Sequence, residues 1–168
     1  MKKINYTIFI FFMILLGSLS ANEPLITKKK APLSIALPLL KSIEEHSIVV
    51  GRGATHVYAF IDPICPRSRE FVEMIFENSK MQKSYTYHLF YYELTRFHSK
   101  DLIRTIYMHA QPLLMLKKVM IDKKTIQCIK DISPKVQTQM NDISKVAQKL
   151  DIYKRPYLFV VKPKKGDS

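Results

Sequence analysis

The chain has 168 residues, with 27 Lys and Arg against 14 Asp and Glu, 47% hydrophobic residues and two Cys. This length and composition fit one globular domain with a substantial core. They exclude an intrinsically disordered chain, which would have fewer apolar residues, and a disulfide-dense mini-protein, which would have more cysteines.

The first 21 residues are typical of a secretory signal. Two lysines follow Met1, an uninterrupted apolar run extends from Ile8 to Leu16, and small residues fill the stretch 17–21. The run is shorter than the roughly 20 residues that span a bilayer, which disfavours the alternative of a permanent anchor. We therefore expect a periplasmic protein with no stable membrane span after cleavage. Loss of Lys2 and Lys3 lowers the net charge from +13 to +11.

The remaining positive charge is spread along the chain. The densest run, 28–30, lies in a segment that resembles a tether. The charge is interpreted either as a solvated surface or as a site for anionic partners. Export disfavours nucleic acid as that partner.

Residues 22–46 are predicted to form an N-terminal arm or linker. Three prolines and no clean periodicity characterise Asn22 to Pro38, and Leu39 to His46 suits a short helix. The predicted organisation is a signal peptide at 1–21, the arm at 22–46 and one domain at 47–168.

The first half of the domain reads strand, helix, strand. Strands are predicted at Ile48–Val50 and His56–Ile61, and the continuous apolar character of the second indicates burial on both faces. Apolar residues at helical spacing follow from Pro66 to Ser79, and an aromatic-rich strand is predicted from Tyr85 to Leu94.

The second half is mainly helical and ends on a strand. Ser99 is expected to cap one helix, Pro112 to open a second that reaches about Ile121, and a short helical piece to contain Cys128. Ser133 and Pro134 begin the best-marked amphipathic helix, since a cap is followed by proline at the first helical position. Arg155-Pro156 then leads into a buried strand, Tyr157–Val161.

Cys65 is the residue best placed for chemistry. It follows a buried strand and stands at the first turn of a predicted helix, where free backbone N–H groups and the helix dipole favour thiolate over thiol. Arg67 and Arg69 add positive charge nearby, and Pro66 suits the first helical position.

The segment from Val57 to Ser68, VYAFIDPICPRS, resembles the thioredoxin-like fold, and within it the periplasmic disulfide isomerase and reductase group of the DsbC and DsbG type. A second similar patch comprises 146–152 and 155–160. The resemblance implies an α/β fold with a helical insertion between the central strands and the cis-proline strand. The sequence ends where the family has a final strand and helix, so we expect either a fold without them or a truncated product.

The same resemblance implies roles for individual residues. Cys65 matches the nucleophilic cysteine and Pro156 the cis-proline, while the second cysteine of the Cys-X-X-Cys motif is replaced by Ser68. Pro66, Arg67 and Arg155 are expected to contact substrate, although Arg155 stands where the family usually has Thr.

Ser68 limits the reaction, because a serine cannot attack a mixed disulfide as the second thiol does. Release of substrate from Cys65 would need another substrate thiol, an external thiol or Cys128. Cys128 itself has three interpretations: a buried free thiol, a bridge to Cys65, or a resolving or intermolecular thiol.

The remaining candidates are less specific. The five histidines show no metal-ligand spacing with the cysteines, so neither a metal site nor a cofactor is predicted. Asp62 is either a buried carboxylate near the sulfur or simply the end of a strand.

Two functions from different classes remain. The first is an exported thiol-disulfide exchange protein, isomerase- or reductase-like, that uses Cys65 on disulfides of secreted or periplasmic proteins, with a possible redox partner protein. The second is a redox-inactive module that binds extended segments of partner proteins. Whether the chain is an enzyme depends on this choice.

Overall fold

The computed structural model describes residues 30–163, so the predicted signal peptide lies outside the described residues. Its helices are α1 (Leu33–Lys41), α2 (Pro66–Glu77), α3 (Ser79–Ser84), α4 (Lys100–Met108), α5 (Pro112–Leu116) and α6 (Pro134–Lys149). Its strands are β1 (Ile48–Gly51), β2 (Thr55–Ile61), β3 (Tyr85–Tyr91) and β4 (Tyr157–Val161). Short 3₁₀ turns lie at Glu44–His46 and Thr95–Phe97, and α5 continues as a π-helical turn, Lys117–Ile121.

The four strands form one mixed sheet in the order β1-β3-β2-β4. Strands β2 and β3 are parallel, whereas β1 and β4 pair antiparallel to them on either side. The two central strands are the apolar runs of the sequence, and the last five residues of each are buried. Both faces of these strands are covered, which explains why they lack the polar alternation of a half-exposed strand.

Helix α1 begins six residues before the short helix that the sequence predicts at Leu39. It includes Pro38, which removes one helical hydrogen bond. Ala36 and Leu40 are nevertheless fully buried, and Ile43 follows at 2% exposure. Burial of this face in the hydrophobic core outweighs the local cost of the proline, as tertiary contacts often override propensity.

The predicted helical insertion separates β3 from β4. Helices α4 and α5 and the π-helical turn form it, and α6 leads back towards the sheet. The start of α6 follows the prediction, since the Ser133 hydroxyl accepts a hydrogen bond from the Val136 N–H and Pro134 occupies the first helical position.

The prediction for the segment around Cys128 is wrong. Residues 123–129 form no helix, and Cys128 is exposed rather than buried. The Arg104 side chain donates to the Lys130 carbonyl, and the Ile129 N–H donates to the Thr105 hydroxyl. Side chains of α4 therefore hold this segment in place of helical hydrogen bonds.

Between residues 30 and 163 no helix combines the length and apolar character needed to cross a membrane.

Candidate functional site

Cys65 lies where β2 gives way to helix α2. It is the N-cap residue of that helix, with extended backbone angles, and Pro66 occupies the first helical turn. The N-terminus of a helix directs free N–H groups and a partial positive charge outward. The predicted position of the sulfur at the start of a helix is therefore observed.

The sulfur also lies beside the loop that precedes β4. The Arg155–Pro156 peptide bond is cis, and Cys65 Sγ is 3.8 Å from the carbonyl oxygen of Arg155. Ninety residues of chain separate these two groups. Cys65 is only 3% exposed, so an incoming sulfur has a narrow approach to it.

Asp62 connects three segments around Cys65. Its Oδ1 accepts hydrogen bonds from the N–H groups of Ile64 and Cys65, and its Oδ2 accepts from the Leu94 N–H and the Ser99 hydroxyl. The residue is fully buried, so these four bonds replace hydration of the carboxyl group. Asp62 thus both ends β2 and shapes the turn that carries the cysteine.

Ser99 does not cap α4 through its side chain, contrary to the sequence prediction. It is the residue before that helix, but its hydroxyl makes no capping bond and donates to Asp62 instead. The backbone angles of Ser99, φ −87° and ψ 0°, differ from the extended ones usual for a residue that caps a helix with its side chain. The contact with Asp62 joins the helical insertion to the cysteine turn.

The other motif residues divide between surface and interior. Pro66 and Arg67 are exposed, whereas Ser68 is fully buried. The Ser68 hydroxyl accepts a hydrogen bond from the Asp62 N–H at 3.2 Å. Ser68 stands where the motif has its second cysteine, and its hydroxyl makes a structural hydrogen bond.

The Arg155 side chain is directed into the protein. Its guanidinium donates to four carbonyl oxygens, those of Tyr92, Glu93, Ile152 and Lys154, and lies 4.2 Å from the centre of the Tyr92 ring. Burial lowers the pKa of Arg155 to about 10, against the opposing effects of Tyr92, Asp62 and Cys65. The group remains positively charged at neutral pH, and its backbone carbonyl is the part that contacts the sulfur.

A cleft of about 280 Å³ lies beside Pro156. Its lining consists of Lys30, Tyr153, Lys154, Pro156, Tyr157 and Leu158. The Lys30 ammonium donates to the Leu158 carbonyl and lies 4.5 Å from the centre of the Phe159 ring. Burial and the nearby charge of Lys154 lower the pKa of Lys30. The beginning of the described chain thus lies against the outer edge of β4.

Cys128 is exposed, and neither it nor Cys65 is in a disulfide. The bridge between the two cysteines, one of the three interpretations of the sequence, is therefore not formed in this structure.

A polar cluster that the sequence did not predict lies at the opposite end of β2 from Cys65. It contains Glu44, His56 and His88. Burial lowers the pKa of His88, while the nearby Glu44 carboxylate opposes that effect. Since 12 and 32 residues separate successive members, no local spacing could indicate the cluster; a polar His within each central strand was the available signal.

Neither a protein-family model nor a curated protein matches the chain. Solved structures do. ScsC of Proteus mirabilis in a compact conformation superposes with a TM-score of 0.56 and 11% identity, covering 98% of this chain and 82% of that one. In a transitional conformation the same protein gives 0.53 and 14%, covering 96% and 80%. Oxidised BdbD of Bacillus subtilis gives 0.50 and 15%, covering 71% and 83%.

At these identities the similarity establishes architecture rather than activity. In this chain the architecture comprises the four-stranded mixed sheet, the helix that begins after Cys65 and the helical insertion before β4. The chain has a mixed α/β, thioredoxin-like fold.

Proposed function

We propose that this protein is an exported thiol-disulfide exchange protein, isomerase- or reductase-like, that uses Cys65 as its only catalytic sulfur. One observation carries the proposal: Cys65 Sγ lies at the N-terminus of α2 and 3.8 Å from the Arg155 carbonyl, which precedes cis-Pro156. This arrangement combines a nucleophile with a backbone acceptor beside it, where an extended substrate segment would pass.

The first step is attack of the Cys65 thiolate on a substrate disulfide. A bond forms between Cys65 and one substrate sulfur, the substrate S–S bond breaks, and the other substrate sulfur leaves as a thiolate. Electrons balance within this step, and no cofactor takes part. The sulfur that takes part in this step lies at the N-terminus of α2, where backbone N–H groups without helical partners point outward.

The second step cannot use Ser68, which has no thiol and is fully buried. Release instead requires attack on the mixed disulfide by a further thiolate. When that thiolate belongs to the substrate, a new substrate disulfide forms, Cys65 leaves as thiolate, and the net result is isomerisation. When an external thiolate attacks the Cys65 sulfur, the substrate leaves with both of its cysteines reduced and Cys65 stays joined to the external thiol. A second external thiolate then releases Cys65 as thiolate, so two external thiols become one disulfide for each substrate disulfide that is reduced.

Secreted or periplasmic proteins with incorrect disulfides are the proposed substrates. The predicted signal peptide supports this choice, because disulfides form and persist in oxidising compartments. The proposed location is accordingly the periplasm. Pro66 and Arg67, exposed beside the sulfur, are proposed to contact substrate.

The test measures recovery of activity from a ribonuclease with scrambled disulfides, and uses mass spectrometry to identify mixed disulfides trapped on the protein. The wild-type chain and Cys128→Ser should accelerate recovery, and adducts should map to Cys65. Cys65→Ser should lose both properties. Equal recovery with wild type and Cys65→Ser, or the absence of adducts on Cys65, would refute the proposal.

A second candidate function is a redox-inactive module that binds extended segments of partner proteins. The 3% exposure of Cys65 favours it, because a thiol that substrate cannot reach would serve only as packing. Binding of a reduced, unfolded ribonuclease by Cys65→Ala at wild-type affinity, together with no exchange activity in the wild type, would support this alternative. Loss of exchange activity in Cys65→Ala would support the first proposal.

A further inference from the structure

Three potential ligand atoms converge at the end of the sheet remote from Cys65. His56 Nδ1 and His88 Nε2 are 2.9 Å apart, and His88 Nε2 is 3.3 Å from Glu44 Oε1. All three atoms lie within 4.8 Å of one another. No part of the proposed exchange reaction uses these residues.

The hydrogen bonds around His88 determine which of its nitrogens has the free lone pair. The Ser47 hydroxyl is 2.7 Å from the Glu44 carbonyl, which can only accept, so the single hydroxyl hydrogen is used there. Ser47 Oγ must then accept from His88 Nδ1, which lies 3.2 Å away. The neutral His88 ring therefore has its hydrogen on Nδ1, and Nε2 presents a lone pair to the cluster.

This assignment leaves acceptor atoms facing each other. A hydrogen on His56 Nδ1 can satisfy His88 Nε2, but Glu44 Oε1 at 3.3 Å then faces the same lone pair with no hydrogen between them. A cation held among the three atoms would accept all of their lone pairs. His56 would then carry its hydrogen on Nε2, so its ring would stay neutral.

The distances suit a tetrahedral metal. Zinc bonds of about 2.0–2.2 Å to nitrogen and oxygen place neighbouring ligand atoms roughly 3.3 Å apart. The two measured separations from His88 Nε2 are 2.9 and 3.3 Å. The remaining pair, Glu44 and His56, must come closer, and both side chains are only partly buried, which leaves them room to adjust.

Neighbouring residues hold the three side chains of the cluster in place. His56 and His88 project from adjacent central strands on the same face of the sheet, where the register aligns Tyr58 with His88. The His88 ring stacks on Tyr58 at 4.7 Å, and Ser47 holds its other nitrogen, an outer-shell contact of the kind that orients histidine ligands. Lys41 binds Glu44 Oε2 at 2.6 Å and leaves Oε1 directed at the histidines.

We infer that Glu44, His56 and His88 form a binding site for a divalent metal ion of the zinc type, with a fourth position open to water. Two imidazoles and one carboxylate form a ligand set that zinc uses in proteins. His56 lies near the start of β2, whereas Cys65 follows the end of that strand, so the proposed metal site is separate from the cysteine.

The test titrates zinc into the full chain with both Cys65→Ser and Cys128→Ser, so that thiolates cannot bind the metal. Glu44→Gln and His56→Gln each remove one ligand in that background. Glu45→Gln is the matched control, because it alters the neighbouring acidic residue of the same 3₁₀ turn. Circular dichroism establishes that each variant is folded, and the absorption spectrum of bound cobalt reports tetrahedral coordination.

We expect one zinc per chain, a tetrahedral cobalt spectrum, and a Kd at least about tenfold weaker in both Glu44→Gln and His56→Gln. The Glu45→Gln control should bind within about twofold of its background. A Kd weakened by less than about tenfold in either Glu44→Gln or His56→Gln would overturn the inference, and so would no binding below about 1 mM zinc. The cluster would then be a hydrogen-bonded network.

Discussion

Replacement of Asp62 by Asn tests whether the buried carboxylate organises the cysteine turn. The substitution keeps the shape of the side chain but leaves one acceptor oxygen in place of two. Four donors surround the native carboxylate, two on each oxygen, at 2.7 to 3.3 Å. Whichever way the amide is oriented, its NH₂ group faces at least one backbone N–H.

The most favourable orientation places NH₂ towards Leu94 and Ser99, because the Ser99 hydroxyl can rotate to accept. The Leu94 N–H then loses a hydrogen bond to a charged group, worth about 1.5–3 kcal/mol, and the bonds from Ile64 and Cys65 weaken to those of a neutral acceptor. We expect the free energy of unfolding to fall by about 2–4 kcal/mol.

Urea unfolding of the reduced protein, followed by circular dichroism, measures this change. With an m-value of about 2 kcal/mol/M, the midpoint should fall by about 1–2 M. Asp131→Asn, at an exposed position, is the control and should unfold within about 0.5 kcal/mol of wild type. An unfolding free energy of Asp62→Asn within the same 0.5 kcal/mol would show that the carboxylate does not stabilise the turn.

Three further substitutions test other contacts of the fold by the same urea assay. Arg155→Lys keeps the positive charge but removes the guanidinium that binds four carbonyls, and should cost at least about 2 kcal/mol; a change below 0.5 kcal/mol would contradict a structural role for these hydrogen bonds. Phe159→Ala should cost about 3–5 kcal/mol because the ring is 1% exposed, whereas Val160→Ala on the same strand, at 47% exposure, should cost less than about 1. Gly53→Ala would place a Cβ 1.9 Å from the Ser84 carbonyl carbon, so we expect the free energy of unfolding to fall by more than about 2 kcal/mol. An unchanged urea midpoint would show that Gly53 and Ser84 do not approach each other so closely.

Much of the fold was predictable because the relevant signals are local. The apolar runs of β2 and β4, the helix after Cys65 and the capped start of α6 all appear near their predicted positions. Each depends on a periodicity or a cap that a short window contains. Helix α1 was displaced because burial of Ala36 and Leu40, a long-range effect, determines where it begins.

The candidate site was predictable only in part. Cys65 could be identified from the sequence because it follows a strand and begins a helix. The contacts of Asp62 with Leu94 and Ser99 could not, because they join residues more than thirty positions apart. The inward direction of the Arg155 side chain depends on the carbonyl groups that the fold places around it. The exposure of Cys128 depends on how its segment packs in the folded chain. No short segment contains that information.

The sequence by itself determined the central strands, the capped helix α6 and the position of a cysteine between a strand and a helix, since each depends on neighbours a few residues away. Tertiary structure alone decided that this cysteine meets the Arg155 carbonyl and that Glu44, His56 and His88 meet each other. The physical reason is that burial of the apolar sheet sets the approach of distant segments, and polar contacts form only where that approach brings donors and acceptors together.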